Sequence, residues 1–301
     1  MLDLDFAFFD MRNSNRQGLA NRKAFLDRLA PVLYSPRVER LIDFGRWGLK
    51  GCNVRLPLGE GNWSILHPDK RSLMMEKTVS IMREYEIPCM GVDRRLRGLF
   101  MTQQHNLPLV YGDHFITALA AILVGRVMER QPVNKLILVG DIPDICSLIN
   151  NMSRYRIPIS VQNYHPARYE IMIHRLLYEE GLAVSNSYIN PNNWVRGDLV
   201  VSVEPDSRSL ALASPEAFYI RLDNDSSGLA PELEEILGRG GMNGCLHTLA
   251  PILESCLLEQ AGNIIHDGED NYFYREEKAD ELHDRLIEAG ESMGLWEPFL
   301  M

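Results

Sequence analysis

What the chain has little of narrows it first. Positive charge is short: 31 Lys and Arg stand against 41 Asp and Glu in 301 residues, a formal net charge of −10. That balance speaks against nucleic acid as the main partner and against an anionic membrane surface, because phosphate binding wants a basic face. Long apolar runs are missing as well, and none approaches the ~20 residues of a membrane-spanning helix. The opening Met-Leu-Asp-Leu-Asp lacks the basic start of a secretory signal, so a cytoplasmic location is expected. Cysteine is sparse and odd in number, at five (52, 89, 146, 245, 256), with no C-x-x-C pair. This excludes a disulfide framework and a zinc ribbon and predicts reduced, mostly buried thiols. Neither an internal repeat nor a low-complexity tract is visible, which excludes solenoids and linker-like chains.

What is present is ordinary globular material, 46% hydrophobic and 24% charged. The length suits two modest domains or one large one. The chain is organised around residues 134–205. An apolar run at 135–139 turns at Gly140-Asp141-Ile142-Pro143, and Ile145, Leu148, Ile149 and Met152 follow at helical spacing. A second apolar run, 157–161, ends at Asn163-Tyr164-His165-Pro166-Ala167-Arg168, and further runs lie at 182–184 and 198–203. Short apolar strands alternating with amphipathic helices are the signature of parallel βαβ units, which bind nucleotides at the carboxyl ends of their strands.

The N-terminal part reads as a separate α/β unit. Strands are predicted at 4–11, 38–44 and 87–96, and helices at about 17–33 and 72–85, while the glycine-rich stretch 45–61 holds only a short apolar piece at 52–58. Residues 107–111 end at Gly112-Asp113, which opens a long helix to about Arg130. Beyond the central stretch, a loop at 205–215, a fifth strand at 217–222, and helices at 231–237 and 246–260 are predicted, with a solvated acidic helix at 275–295. The expected fold is α/β: an N-terminal α/β substrate-type domain (1–112), a Rossmann-like parallel-sheet domain (113–245) and C-terminal helices (246–301), of which the first packs back across the cleft.

Four stretches, in chain order, resemble the shikimate/quinate dehydrogenase family. Gly51-Cys52-Asn53-Val54-Arg55-Leu56-Pro57 resembles that family's G-x-N-V-T-x-P, and Gly91-Val92-Asp93 its G-A-V-N. Gly112-Asp113 resembles its N-T-D-G, and Asn163 to Glu170 its N-R-T-P-x-R-A-E. Weaker similarity lies at Ser14-Asn15-Arg16, at 198–202 and at 244–250. Several of the family's positions are substituted. Its catalytic lysine falls at Gly59, its asparagine at Asp93, its C-terminal glutamine at Leu249 and its second N-terminal serine at Arg16. The resemblance implies a hydride passing across an interdomain cleft, with Asp113 handling the hydroxyl proton. Loss of an essential acid/base commonly costs about two to four orders of magnitude in rate, so shikimate itself is not the expected substrate.

Each candidate residue also has a plainer role. Gly140 is the surviving glycine of G-x-G-x-x-G. Ile142 replaces the second glycine, which lets backbone approach a pyrophosphate, and Asp141 at the helix start would repel one. Asn163, Tyr164 and Arg168 are candidates for the adenosine ribose or its 2′-phosphate, or a solvated helix start. No acid ends this strand, so NADP is favoured over NAD, and no dinucleotide at all is the remaining alternative. Asp113 is a candidate acid/base and equally a helix N-cap. Asp93 is a second catalytic candidate or part of an ion-pair cluster with Arg94 and Arg95. Ser14, Arg16, Asn53, Arg55 and His247 are candidate substrate-binding residues, each also suited to surface or core roles. Asp223-Asn-Asp225 is a D-x-D that reads as a turn. No histidine spacing suggests a metal site.

Three functions are consistent with this pattern. The first is an NAD(P)-linked oxidoreductase of the shikimate dehydrogenase type acting on a small hydroxy acid or polyol. The second is a catalytically degenerate small-ligand or nucleotide-binding regulatory protein. The third is a transferase using the D-x-D. A small molecule is the expected partner, and assembly as a homodimer is left open.

Overall fold

The structure, a computed structural model, describes residues 3–15, 17–18, 22–100, 108–204, 207–223, 230–266, 272–274 and 279–299. The chain begins with β1 (Phe6–Met11), α1 (Lys23–Leu33), β2 (Arg37–Phe44), β3 (Leu49–Leu56), α2 (Glu60–Ile65), α3 (Pro68–Glu84), β4 (Met90–Val92), α4 (Arg97–Phe100) and β5 (Leu109–Val110). It continues with α5 (Asp113–Arg130), β6 (Lys135–Val139), α6 (Ile145–Ser153), β7 (Ile159–Gln162), α7 (Glu170–Glu179), β8 (Val184–Ser187), β9 (Asp198–Ser202), α8 (Ser207–Ala213) and β10 (Phe218–Arg221). It closes with α9 (Pro231–Arg239), α10 (Leu246–Gln260), the hairpin β11 (Ile264–His266) and β12 (Tyr272–Tyr274), and α11 (Ala279–Ser292).

These elements form two compact α/β units, Met1–Gly112 with Pro231–Glu276, and Asp113–Ala230 with Glu277–Met301. The division differs from the expected one after residue 230. Segment 231–245 joins the first unit because α9 packs on β2, and α11 joins the second because it packs on α5 and α6.

The first unit is a five-stranded sheet in the order β2-β3-β1-β4-β5. β2 is antiparallel to β3, and the other pairings are parallel. Strand alternation puts Ala7, Phe9 and Met11 with Val54, Leu56 and Val92 in one core, together with Trp63, Met74 and Met82. The opposite face, with Phe6 and Phe8, belongs to α10, which packs on β1, β4 and β5. The approach is close: a Cβ added at Gly91 would lie 2.8 Å from the Pro251 carbonyl oxygen. One at Gly112, whose φ is +81°, would lie 2.7 Å from the Pro251 nitrogen. Leu249, Ile252, Leu253 and Leu257 are all fully buried, as the 246–260 periodicity predicts.

The second unit is a five-stranded, wholly parallel sheet in the order β10-β9-β6-β7-β8. Its first strand in the chain is central, and the connections run outward from it on both sides. This is the doubly wound order, and its switch point lies at the carboxyl ends of β6 and β9. Leu136 to Val139 and Leu199 to Val201 are fully buried, as continuous apolar strands of a covered parallel sheet should be. β8 is an edge strand and polar, Val-Ser-Asn-Ser, so it escapes the apolar signal that had suggested 182–184. Residues 205–215, expected as a loop, carry α8.

Gln162, 4% exposed at the end of β7, anchors the connection that follows β8. Its Oε1 accepts from the Asn190 amide at 3.1 Å and from Trp194 Nε1 at 3.0 Å. Gln162→Leu leaves both donors without that acceptor and is expected to cost about 1.5 kcal/mol, checked by chemical denaturation.

Candidate functional site

The turn after β6 sits at the switch point of the second unit. Gly140 has φ +95°, and a Cβ there would lie 2.6 Å from Glu204 Oε1, so the position takes glycine for conformation and for space. Asp144 caps α6 in the left-handed region at φ 45°. Ile142 is buried, which leaves the turn shaped by an apolar anchor where the fingerprint has glycine. The backbone amides of Asp141, Ile142 and Asp144 have no partner among the described residues. Open amides at the start of a helix are donors suited to a phosphate oxygen. Pro143 contributes none.

The Asp141 carboxylate reaches to the end of β7. Its Oδ1 accepts from Asn163 Nδ2 at 2.6 Å and from the Tyr169 hydroxyl at 2.9 Å, and Arg168 lies 3.5 Å from its Oδ2. Asn163 is 2% exposed and its Oδ1 accepts the His165 amide at 2.7 Å, which fixes the amide orientation. Burial, and then the hydrogen bond to Asp141, push the Tyr169 hydroxyl pKa up. Three of the residues expected at the cofactor, Asp141, Asn163 and Arg168, thus form one cluster. Tyr169 joins it, a residue that carried no signal of its own within the 163–170 motif. Tyr164 is half-exposed beside them.

The start of α5 is tied to the same turn. The Thr117 hydroxyl lies 3.0 Å from the Asp113 carbonyl oxygen and 2.7 Å from the Pro143 carbonyl oxygen. His114 Nδ1 is 3.9 Å from Asp144 Oδ2. Asp113 therefore occupies the first turn of α5 beside the glycine turn, where the helix dipole favours a carboxylate.

In the first unit, charged residues gather at the carboxyl ends of three neighbouring parallel strands. Asp10 on β1 pairs in register with Arg55 on β3, and the Asp93 amide, just after β4, donates to the Phe9 carbonyl. Asp10 is 7% exposed and receives Arg55 Nε at 2.7 Å and an Arg55 terminal nitrogen at 2.5 Å. Burial raises the Asp10 pKa, against the lowering effect of Arg55. Arg55 also meets Glu39 at 2.6 Å and donates to the Gly241 carbonyl at 2.6 Å. Asn53 donates to the Gly240 carbonyl at 3.2 Å, and Arg40 to that of Arg239 at 2.6 Å. Together the three side chains satisfy carbonyls at the C-terminal end of α9. Asn53 and Arg55, expected at the substrate, are thus engaged with the protein itself, although Asn53 Oδ1 has no partner among the described residues.

Asp93, the second catalytic candidate, gives both oxygens to Arg95. It accepts the Arg95 amide at 3.0 Å and Arg95 Nε at 3.1 and 3.0 Å. That is an ion-pair carboxylate orienting the guanidinium of Arg95, the second of the two arginines that follow it. Arg95, half-exposed, extends to Asn13 Oδ1 at 3.2 Å. A pocket of about 290 Å³ opens here, lined by Arg12, Asn13, Asn15, Glu60, Ser64 and Arg95 among others. The Arg12 guanidinium has no partner among the described residues. Two guanidinium groups with amides and a hydroxyl suit a small anion carrying hydroxyls. No motif singled out Arg12 or Asn13; the sequence signals near this pocket were the weak match at Ser14-Asn15-Arg16, of which Asn15 lines it, and Asp93 with its following arginines.

The place of the family lysine is sterically closed. A Cβ added at Gly59 would lie 2.5 Å from Asn15 Oδ1, 2.8 Å from the Asn15 nitrogen and 2.9 Å from its Cα. The Asn15 side chain also accepts the Asn62 amide at 3.2 Å.

Ser14 is exposed after β1, and His247 is half-buried in the first turn of α10. Arg16 lies outside the described residues, as does Asp225. Asp223 is buried and paired with Arg221 at 3.0 Å. All five cysteines are free thiols, four of them buried, and burial pushes Cys52 up to about 12. Among the described residues no helix is long and apolar enough to cross a membrane.

No protein-family model matches the chain, and no curated protein matches it. Among solved structures, the chain is similar to L-tryptophan dehydrogenase from Nostoc punctiforme, with a TM-score of 0.45 and 12% identity over 96% of this chain and 83% of that one. It is also similar to a shikimate 5-dehydrogenase-like protein, with a TM-score of 0.36 and 13% identity over 95% of this chain and 97% of that one.

Proposed function

We propose that the chain is a shikimate dehydrogenase-like oxidoreductase that moves a hydride between a nicotinamide dinucleotide and a small hydroxy acid or polyol. The observation that carries this reading is the turn at Gly140. It lies at the switch point of a doubly wound sheet, with a positive-φ glycine and open amides at Ile142 and Asp144. The residues fit the group: the open amides would take the pyrophosphate, and the cluster of Asp141, Asn163 and Arg168 would take the adenosine ribose. When bound, the nicotinamide supplies the hydride chemistry. Asp113 takes the proton of the substrate hydroxyl as that carbon becomes a carbonyl, and returns it in the reverse direction.

Titration of the purified chain with NADH and NADPH, followed by nicotinamide fluorescence, tests this reading. Saturable binding below about millimolar concentration is expected, the usual range for such ligands. With a panel of hydroxy acids, Asp113→Asn is expected to lower kcat by roughly 100-fold or more without loss of cofactor binding. No binding of either dinucleotide at millimolar concentration contradicts the proposal.

A second reading, a catalytically degenerate binding or regulatory protein, is favoured by the closed space at Gly59 and by the engagement of Asp93 with Arg95. Binding without turnover on any hydroxy acid, unaffected by Asp113→Asn, would select it.

A further inference from the structure

We infer that Asp141 is the specificity-determining residue of the cofactor site, selecting a dinucleotide with a free adenosine ribose over its 2′-phosphorylated form. The inference rests on the dinucleotide reading above and reverses the coenzyme preference drawn from the sequence, where no acid ends β7. In the fingerprint an acidic side chain from the end of the second strand accepts the ribose hydroxyls. Here that strand ends at Gln162 and Asn163, and Gln162 Oε1 is already engaged by Asn190 and Trp194. The acid comes instead from the glycine turn one strand away.

Asp141 does not point into open solvent alone. Asn163 Nδ2 at 2.6 Å and the Tyr169 hydroxyl at 2.9 Å hold one carboxylate oxygen at the end of β7, and Arg168 stands 3.5 Å from the other. Asn163 is itself locked by the His165 amide and by burial, so the carboxylate rests on a rigid donor. Two consequences follow for a nucleotide. The ribose hydroxyls are donors and find an acceptor, with Asp141 still about 62% exposed and able to receive them. A 2′-phosphate finds its natural partners, Arg168, Asn163 and Tyr169, already turned to an anion, and it brings like charge against that anion.

The test is equilibrium binding of NADH and NADPH to the full chain, wild type and Asp141→Asn, with thermal unfolding as a folding control. The wild type is expected to bind NADH roughly tenfold or more tightly than NADPH, a difference of one decade in Kd. Asp141→Asn is expected to narrow or invert that ratio through a gain in NADPH affinity. A wild-type preference for NADPH overturns the inference while leaving the dinucleotide reading intact. So does a variant that changes both coenzymes equally. Failure of both coenzymes to bind overturns the dinucleotide reading and the inference with it. The wild-type ratio decides by itself if the variant does not fold.

Discussion

Arg55→Ala is expected to lower the stability of the chain by about 3 kcal/mol, the largest effect of any single surface-accessible side chain described above. The cost comes less from the lost ion pair than from what remains. Asp10 is 7% exposed, and both its oxygens are paired with Arg55. Removing the guanidinium leaves a carboxylate in a desolvated place beside Asp93 and Glu39, both of which already push its pKa up. It also removes the donor to the Gly241 carbonyl beyond α9. The effect has a pH signature. A folded-state pKa above the unfolded value gives a contribution that is fully present below the unfolded pKa and is lost as pH rises through the folded one. Without Arg55 the upward shift grows, so the cost should be small near pH 4 and reach its full size near pH 7. Urea unfolding of wild type and variant at both pH values checks this. An equal cost at the two pH values would show that Asp10 is not the source.

Gly59 gives the second large effect. In the resembled family a lysine stands at this position, and restoring it invites the expectation of restored catalysis. The structure gives the opposite expectation. The Asn15 nitrogen and Cα, backbone atoms that cannot rotate away, lie 2.8 and 2.9 Å from where a Cβ would sit. Overpacking of this kind costs about 1–3 kcal/mol, and contact with backbone places Gly59→Ala near the upper end. Gly59→Lys should therefore fold less stably than wild type and gain no hydroxy-acid oxidation. A lysine variant of wild-type stability with a large gain in turnover would mean that the loop of Asn15 moves freely. Asn15→Ala should not rescue the clash, since only the Oδ1 contact belongs to the side chain.

How much of this could be read from the chain follows from the range of each interaction. The central parallel strands were legible because covered strands are continuous apolar runs, and 135–139 and 198–203 announce themselves. The polar edge strand β8 does not, since an edge need not bury both faces. Allocation of 231–245 to the first unit was not legible, because it depends on α9 finding β2 and on Arg40, Asn53 and Arg55 finding its terminal carbonyls. The same holds for the sites. Gly140, Asn163 and Arg168 stood out by motif position. That Asp141 would turn toward Asn163, 22 residues on, is a tertiary contact with no local signature. Asp10 was hidden in a strand that reads as aromatic, Leu-Asp-Phe-Ala-Phe-Phe-Asp-Met, where alternation alone puts it on the face opposite Phe9. Asp93 and Arg55 were visible as charged residues in the resembled motifs, but their mutual neighbours only emerge once β3, β1 and β4 lie side by side.

Hydrogen–deuterium exchange of the backbone amides, with and without saturating NADH, tests most directly that a dinucleotide binds at the turn after β6. The backbone amides of Ile142 and Asp144 have no acceptor among the described residues, so they should exchange quickly in the free chain. The account predicts marked slowing in the peptides that cover 141–147 and 163–169 when NADH is added. Binding that leaves both segments unchanged, or protects a different part of the second unit, would contradict it.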